Sequence, residues 1–484
     1  MSDMMTLAQA QPWLTGARLV EGGPHGGAVG FKRVHSDSRS IEPGDLFVAL
    51  QGERFDANHF LAQAQARGAV AALCQDTENT AAQAALRAAH LPGLLVPDSK
   101  RALAELATHW RAQFQLPLIA VTGSNGKTTV TQMIAAILRA YQPQAFLATQ
   151  GNFNNDIGVP LTLLRLRREH AIAVVELGMN HPGEIAALAA IAQPTVALVN
   201  NAQREHLEFM ATVQAVAQEN GCVIDALADS GVAVYPSDDR YSALWTAKAG
   251  ARAVLQFSDA DLGGAALAAE VRASAADWVA DAWQVKALTP AGPLSYALHI
   301  AGRHNLKNSL AALAATLAAG VPLPAIAQGL SAFEAVKGRC RAQLLKQGER
   351  SITLIDDSYN ANPDSVRAAM EVLASMPRPC LLVLGDMGEV GAQGPQLHAQ
   401  AGELARQLGI DALFTLGDLS ALAAKSFAGG RHFAAIEPLQ SAVLAELPRL
   451  GSVLVKGSRF MQMERVVQAI QACVQPPMEA RHVA

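Results

Sequence analysis

The sequence predicts an α/β protein of about three domains, a small N-terminal one, a central parallel-sheet one and a C-terminal doubly wound one. Three observations predict it. The chain has 484 residues, which at roughly 100–200 residues per domain gives about three separate cores. Short apolar runs alternate with stretches of helical periodicity, as crossover-connected parallel strands require. A glycine-rich loop, VTGSNGKTTV, joins one apolar run to one amphipathic stretch. The pattern changes place the boundaries at 1–112, 113–336 and 337–484.

Between about 30 and 112, apolar runs at 46–50 and 69–73 alternate with Ala-rich stretches and Gly or Pro punctuation, predicting a small α/β unit. After Pro117, the run 118–121 enters the glycine loop, and Val130, Met133, Ile134, Ile137 and Leu138 then fall on one helical face. Runs at 172–175, 196–199 and 232–234 predict further parallel strands. The alternation at 283–287 and 294–300 around the turn at 290–293 predicts an appended antiparallel hairpin. An Ala-rich helix follows Asn305. Beyond Phe333 and Lys337, runs at 352–355, 381–384, 413–416 and 453–455 alternate with helices, as in a doubly wound sheet.

Composition narrows the function. The 38 Lys and Arg against 42 Asp and Glu leave a net charge of -4, with no basic surface for nucleic acid or anionic lipid. Small molecules are the expected partners. Cys74, Cys222, Cys340, Cys380 and Cys473 are scattered, without the close pairs of a zinc or redox site. The start, MSDMMTLAQAQPW, lacks a basic, apolar leader, and the Ala-rich run 311–319 stops at Gly320. The expectation is a cytoplasmic protein with no membrane span.

The glycine loop carries the chemistry. Gly123, Ser124, Asn125, Gly126, Lys127, Thr128 and Thr129 offer backbone N–H groups to phosphate oxygens, a lysine to offset charge, and at Thr128 a hydroxyl for magnesium. ATP or another triphosphate is the expected ligand. The usual phosphate-loop spacing would put a glycine at position 121, which is Val121; the glycine stands at 123 instead. An Asn-Lys-x-Asp base-recognition motif is missing, which sets a switch GTPase aside. Glu176 and His206 follow two of the strand-like runs, at the sheet edge where such folds place ligands, and both suit a metal site.

With that shorter loop, the motifs IDDSYNANPDS, LGDMGEVG and VLVKGSR resemble those of the Mur ligases of bacterial cell-wall synthesis, from about residue 34 to 465. The resemblance implies a three-domain ATP-dependent ligase that joins D-alanyl-D-alanine to the terminal carboxylate of UDP-N-acetylmuramoyl-tripeptide through an acyl phosphate. It implies uridine-nucleotide contacts from Ser36, Asp37, Ser38 and Arg39 in SDSRSIEPGDLF, and sugar and phosphate contacts from Thr149, Asn152, Asn154 and Asn155 in TQGNFNNDIG. Both segments also read as polar turns. The resemblance further implies that Glu176 and His206 bind Mg2+, and that His304, Asn305 and Asn308 of GRHNLKN meet the adenine, although Asn305 also reads as a helix cap. It points to Arg339 at the terminal phosphate, where a planar guanidinium fits well. Asp357 is expected at the ribose, and Asn360 and Asn362 near the dipeptide; the neighbouring Asp356 with Asp357 also reads as a pair of caps. Asp386 and Lys456 are further candidates with turn formation as the alternative.

One departure stands out. Where the resemblance implies a carbamylated lysine supporting a second Mg2+, AQENGCVI has Asn220, which cannot form a carbamate. Water, Gln218 or Glu219 would substitute, or the second ion would be held more weakly. Lys127, Arg339 and Mg2+ are expected to offset charge on the transferring phosphoryl group. A monomer is expected.

Overall fold

The computed structural model describes residues 3–474 apart from 22–25, 53–54, 77–80, 260–268, 280 and 348–349. Its largest sheet has nine strands in the spatial order Gly292–Leu298, Ala282–Thr289, Val271–Val279, Ala253–Ser258, Val232–Pro236, Val196–Val199, Leu118–Thr122, Ile172–Glu176 and Phe146–Ala148. The strand Leu118–Thr122 pairs parallel with neighbours on both sides, Val121 standing beside Glu176 and Leu198. After Ile172–Glu176 the chain crosses to the other side of that strand, so a crevice opens at the strands' carboxyl ends where the order reverses. All five residues of Leu118–Thr122 are buried, which is why it reads as an unbroken apolar run.

The five apolar positions expected on one face of the following helix are all buried in Lys127–Tyr141. They share a core with Leu306, Leu310 and Leu313 of Arg303–Ala318 and with Ile326 and Leu330 of Leu323–Ser331. The expected hairpin pairs Ala282–Thr289 with Gly292–Leu298, turning between Thr289 and Gly292. Val271–Val279 adds a third antiparallel strand.

A five-stranded sheet near the N-terminus runs Arg18–Val20, Gly93–Val96, Ala71–Gln75, Asp45–Ala49, Arg33–His35, parallel except for the first pair. Its helix Ser99–Arg111 sends Leu103 and Leu106 into one core with Leu161 and Leu188 beneath the large sheet. A six-stranded sheet runs Arg341–Gln347, Arg350–Asp357, Ser452–Lys456, Cys380–Gly385, Ala412–Leu416, Arg431–Phe433. One face holds Pro363–Ala374 and Gly394–Gln407 through Met370, Leu373 and Leu397. The other holds Ile436–Glu446 and Glu464–Val474 through Leu439, Val443 and Val467. The sheet is thus doubly wound, with an antiparallel edge strand, Arg341–Gln347. Among the described residues, no helix is long and apolar enough to cross a membrane.

Candidate active site

A cavity of about 1680 Å³ opens where all three sheets' elements meet. Its floor is the glycine loop. Gly123 and Gly126 have φ of 130° and 81°, a region open to glycine at little cost. A Cβ on Gly126 would stand 2.6 Å from Asn308 Oδ1. Gly126 caps Lys127–Tyr141 without a side-chain hydrogen bond, so the first N–H groups of the helix remain free for an anion, aided by the helix dipole. Ser124 to Thr129 line the cavity.

An asparagine chain stiffens this loop. Asn200 Nδ2 donates to the Asn125 carbonyl at 2.7 Å and to Asn308 Oδ1 at 2.9 Å. Asn308 Nδ2 donates to Asn305 Oδ1, and Asn305 Nδ2 to the Ala301 carbonyl. Asn305 and Asn308 therefore spend amide groups on clamping the loop while bordering the cavity. His304 lies beside them, and burial pushes its imidazole down to about 4, with Lys456 adding to the effect against Asp357. It is neutral at pH 7 and can accept a hydrogen bond.

Two buried carboxylates face the helix start. Glu176, 1% exposed, accepts from Thr128 Oγ1 at 3.1 Å and Asn154 Nδ2 at 2.8 Å through Oε1; its Oε2 is buried with no partner. Glu205, 6% exposed, accepts from Lys127 Nζ at 3.2 Å through Oε2, and its Oε1 likewise has none. Lys127 also donates to the carbonyls of Gly123 and Ser124. His206 Nδ1 lies 2.5 Å from Glu389 Oε2, and that contact holds the Glu389 carboxyl below its ordinary range. Buried carboxylate oxygens without partners are costly, and these two suit a hard cation, which takes oxygen ligands. Among the described residues, no three His, Cys, Asp or Glu side chains converge as a complete metal cage. Mg2+, which usually keeps waters and substrate phosphates in its shell, fits such a partial set.

The third sheet closes the cavity from above. Arg339 donates to Thr128 Oγ1 at 3.1 Å, and its guanidinium sits 4.0 Å over the Tyr359 ring, which fixes its plane. Asn362 caps Pro363–Ala374 and donates to Asn125 Oδ1 at 2.8 Å. Asp357 is held by Lys456 Nζ at 2.5 Å and the Cys340 amide at 3.0 Å. Asn360, whose carbonyl takes a bond from the same lysine, also lines the cavity.

Other expected residues stand elsewhere. Asn152, Asn154 and Asn155 line the cavity, although Asn155 Oδ1 is engaged by the Gly158 amide at 2.8 Å. Thr149 is buried behind it, accepting from the Glu176 amide at 2.9 Å, and so supports a cavity residue. Ser36, Asp37, Ser38 and Arg39 lie outside its lining. There Arg39 folds onto Asp37, whose carboxyl it holds at about 2. Asp386 accepts from the amides of Leu419 and Ser420, a structural task. Glu219 accepts from the Gly183 and Ile185 amides, so it is occupied at a helix start, and Asn220 Oδ1 accepts from Thr122 Oγ1 at 2.6 Å. Asn200, Arg204, Glu205 and Asp364 were not among the expected residues. The polar run NNAQREH just after an apolar strand was the available signal for the first three.

Family models match in three consecutive stretches: the Mur ligase family, catalytic domain at 31–111, the Mur ligase middle domain at 121–316 and the Mur ligase, glutamate ligase domain at 340–459. The UDP-N-acetylmuramoyl-tripeptide--D-alanyl-D-alanine ligase of Escherichia coli K12 is 40% identical over 94% of this chain and 96% of its own length. That of Haemophilus influenzae is 35% identical over 92% and 94%. A crystal structure of MurF from Acinetobacter baumannii superposes with a TM-score of 0.84 at 33% identity, covering 96% of this chain and 98% of that one. With matches of that extent over a fold and cavity of this form, the chain belongs to the Mur ligase family.

Proposed function

We propose that this ATP-dependent amide ligase joins D-alanyl-D-alanine to the terminal carboxylate of UDP-N-acetylmuramoyl-tripeptide, giving a pentapeptide precursor of peptidoglycan. The observation that carries the reading is the cavity itself. It gathers a phosphate loop, two carboxylates that each keep one buried oxygen without a partner and the Arg339 and Asn360 side of the third sheet into about 1680 Å³, more than the roughly 300–1,000 Å³ of a single-ligand site. Two reactants and a nucleotide fit that size. Full-length relatives bearing this activity in their names support the same assignment.

In this reading an oxygen of the peptide's terminal carboxylate attacks the γ-phosphorus of ATP, the bond to the β-phosphate oxygen breaks, and ADP leaves with the electron pair. The dipeptide amine then attacks the acyl carbon, inorganic phosphate departs, and the nitrogen loses its proton. Lys127 and Arg339 offset charge on the phosphoryl oxygens. The helix start at Lys127 orients the phosphates. His304, Asn305 and Asn308 border the adenine and Asp357 the ribose. Asn152, Asn154 and Asn155 face the sugar phosphates, Ser36 to Arg39 serve the uridine end, and Asn360 and Asn362 the dipeptide. Bound Mg2+, held by Glu176 and Thr128 with His206 nearby, would neutralise phosphate charge. Residues 1–112 would carry the UDP-substrate, 113–336 the ATP, and 337–484 would close over both, in a cytoplasmic monomer.

The test is phosphate release with ATP and Mg2+ when the UDP-muramoyl tripeptide and the dipeptide are added separately and together. Release with both and with neither alone is expected, and added bicarbonate should leave the rate unchanged because Asn220 cannot be carbamylated. ATP binding without release under any combination would point to a nucleotide-binding regulator.

A further inference from the structure

We propose that Glu205 is a second carboxylate of the cation site, acting beside Glu176; this rests on the Mg2+ reading above. The two side chains are tied to consecutive residues of the same helix start, Glu205 to Lys127 and Glu176 to Thr128. Both are nearly sealed from solvent, at 6% and 1% exposure. Each keeps one buried oxygen with no hydrogen-bond partner, Oε1 on Glu205 and Oε2 on Glu176. Both border the cavity. Neither oxygen is explained by protein contacts, and a buried carboxylate without compensation is strongly disfavoured.

A role for Glu205 as counter-ion to Lys127 accounts for only one of its oxygens. It also fails once a triphosphate arrives. Lys127 Nζ is then shared between the phosphates and Glu205 Oε2, and the free Oε1 faces the added negative charge. Neighbouring cations are committed, Lys307 to Asp238 at 2.6 Å and Lys456 to Asp357 at 2.5 Å. Asn220, buried beneath the loop on Thr122, brings an amide and no charge. A divalent ion held by the free oxygens of Glu176 and Glu205 would supply the positive charge that removes the conflict. One or two carboxylates completed by phosphates and water is the usual Mg2+ arrangement.

The experiment is Mn2+ titration followed by electron paramagnetic resonance in the presence of ADP, with ADP affinity measured separately without metal and folding checked by thermal melting. Glu205→Gln is expected to weaken Mn2+ at least about tenfold, with Glu205→Asp intermediate because its carboxylate is retracted by one methylene. Glu176→Gln runs in parallel. If Glu176→Gln weakens Mn2+ and Glu205→Gln does not, Glu205 is not a ligand. If Glu205→Gln lowers only the metal-free ADP affinity, it acts through Lys127 and the proposal is overturned. If neither variant changes Mn2+ affinity, the Mg2+ site reading falls with it. Should Glu205→Gln not fold, Glu205→Asp decides: wild-type Mn2+ affinity overturns the proposal.

Discussion

His304 shows how one side chain ties site chemistry to stability. Burial lowers its folded value to about 4 from an ordinary 6.5. Between those values the unfolded chain binds a proton that the folded chain does not, so stability rises with pH across the window and is lost as pH falls from about 6.5 towards 4. The ring borders the open cavity, which softens the effect to on the order of 1–2 kcal/mol. Melting curves from pH 7.5 to 4 for wild type and His304→Gln should show the variant losing less stability across that window; parallel curves would refute the assignment. The ring's neutrality could not be read from GRHNLKN, because it depends on burial contributed by distant parts of the chain. Glu205 was hidden similarly: its neighbour His206 drew attention by residue type, whereas the value of the glutamate lies in a bond to Lys127, 78 residues away.

At the scale of elements, the legible ones were those buried on both faces. Leu118–Thr122 and Val196–Val199 are fully buried strands and announce themselves as apolar runs. Arg18–Val20, Phe146–Ala148 and Arg341–Gln347 sit at sheet edges. Short length or mixed burial left them no such signature. The phosphate loop was legible for a different reason, since glycines before Lys127 have a conformational purpose. Gly126 sits at φ 81°, and a Cβ there would run into Asn308. Gly126→Ala adds a left-handed penalty of about 1–2 kcal/mol and a clash with the asparagine chain. We expect ADP affinity by calorimetry to fall at least about thirtyfold, which is roughly 2 kcal/mol. Asn308→Ala in the same background should recover part of that loss by making room. Unchanged affinity in Gly126→Ala would mean that the loop rearranges to bind phosphate.

Across the whole molecule, polar ties join the third sheet to the loops around the phosphate loop at the cavity, beside the apolar core that the central and third domains share. Arg204 reaches both oxygens of Asp364, with NH2 to Oδ1 at 2.6 Å and Nε to Oδ2 at 3.1 Å, and its amide adds a bond of 2.9 Å. His206 meets Glu389, and Asn125 meets Asn362. Burial alone would raise the Asp364 carboxyl, but the hydrogen bonds from Arg204 outweigh it and hold it below 3.8. A depressed acid contributes stability above its unfolded value and loses it as pH falls through the folded one. The tie is therefore intact at neutral pH and fails only in acid below the ordinary carboxylate range. The pair joins a loop to a helix start 160 residues away, so nothing local in NNAQREH or NANPDS revealed it. Bidentate geometry and partial burial make such a pair worth more than an exposed one, about 1–2 kcal/mol. We expect Asp364→Asn to lower kcat/KM for ligation about tenfold while shifting thermal melting of the whole chain only modestly, and to enlarge the radius of gyration in small-angle scattering. The exchanged pair, Arg204→Asp with Asp364→Arg, should regain compactness and much of the rate, because the charges meet again in reversed order. If Asp364→Asn stays as compact as wild type with full activity, closure is governed by the nucleotide alone and this ion pair is incidental to it.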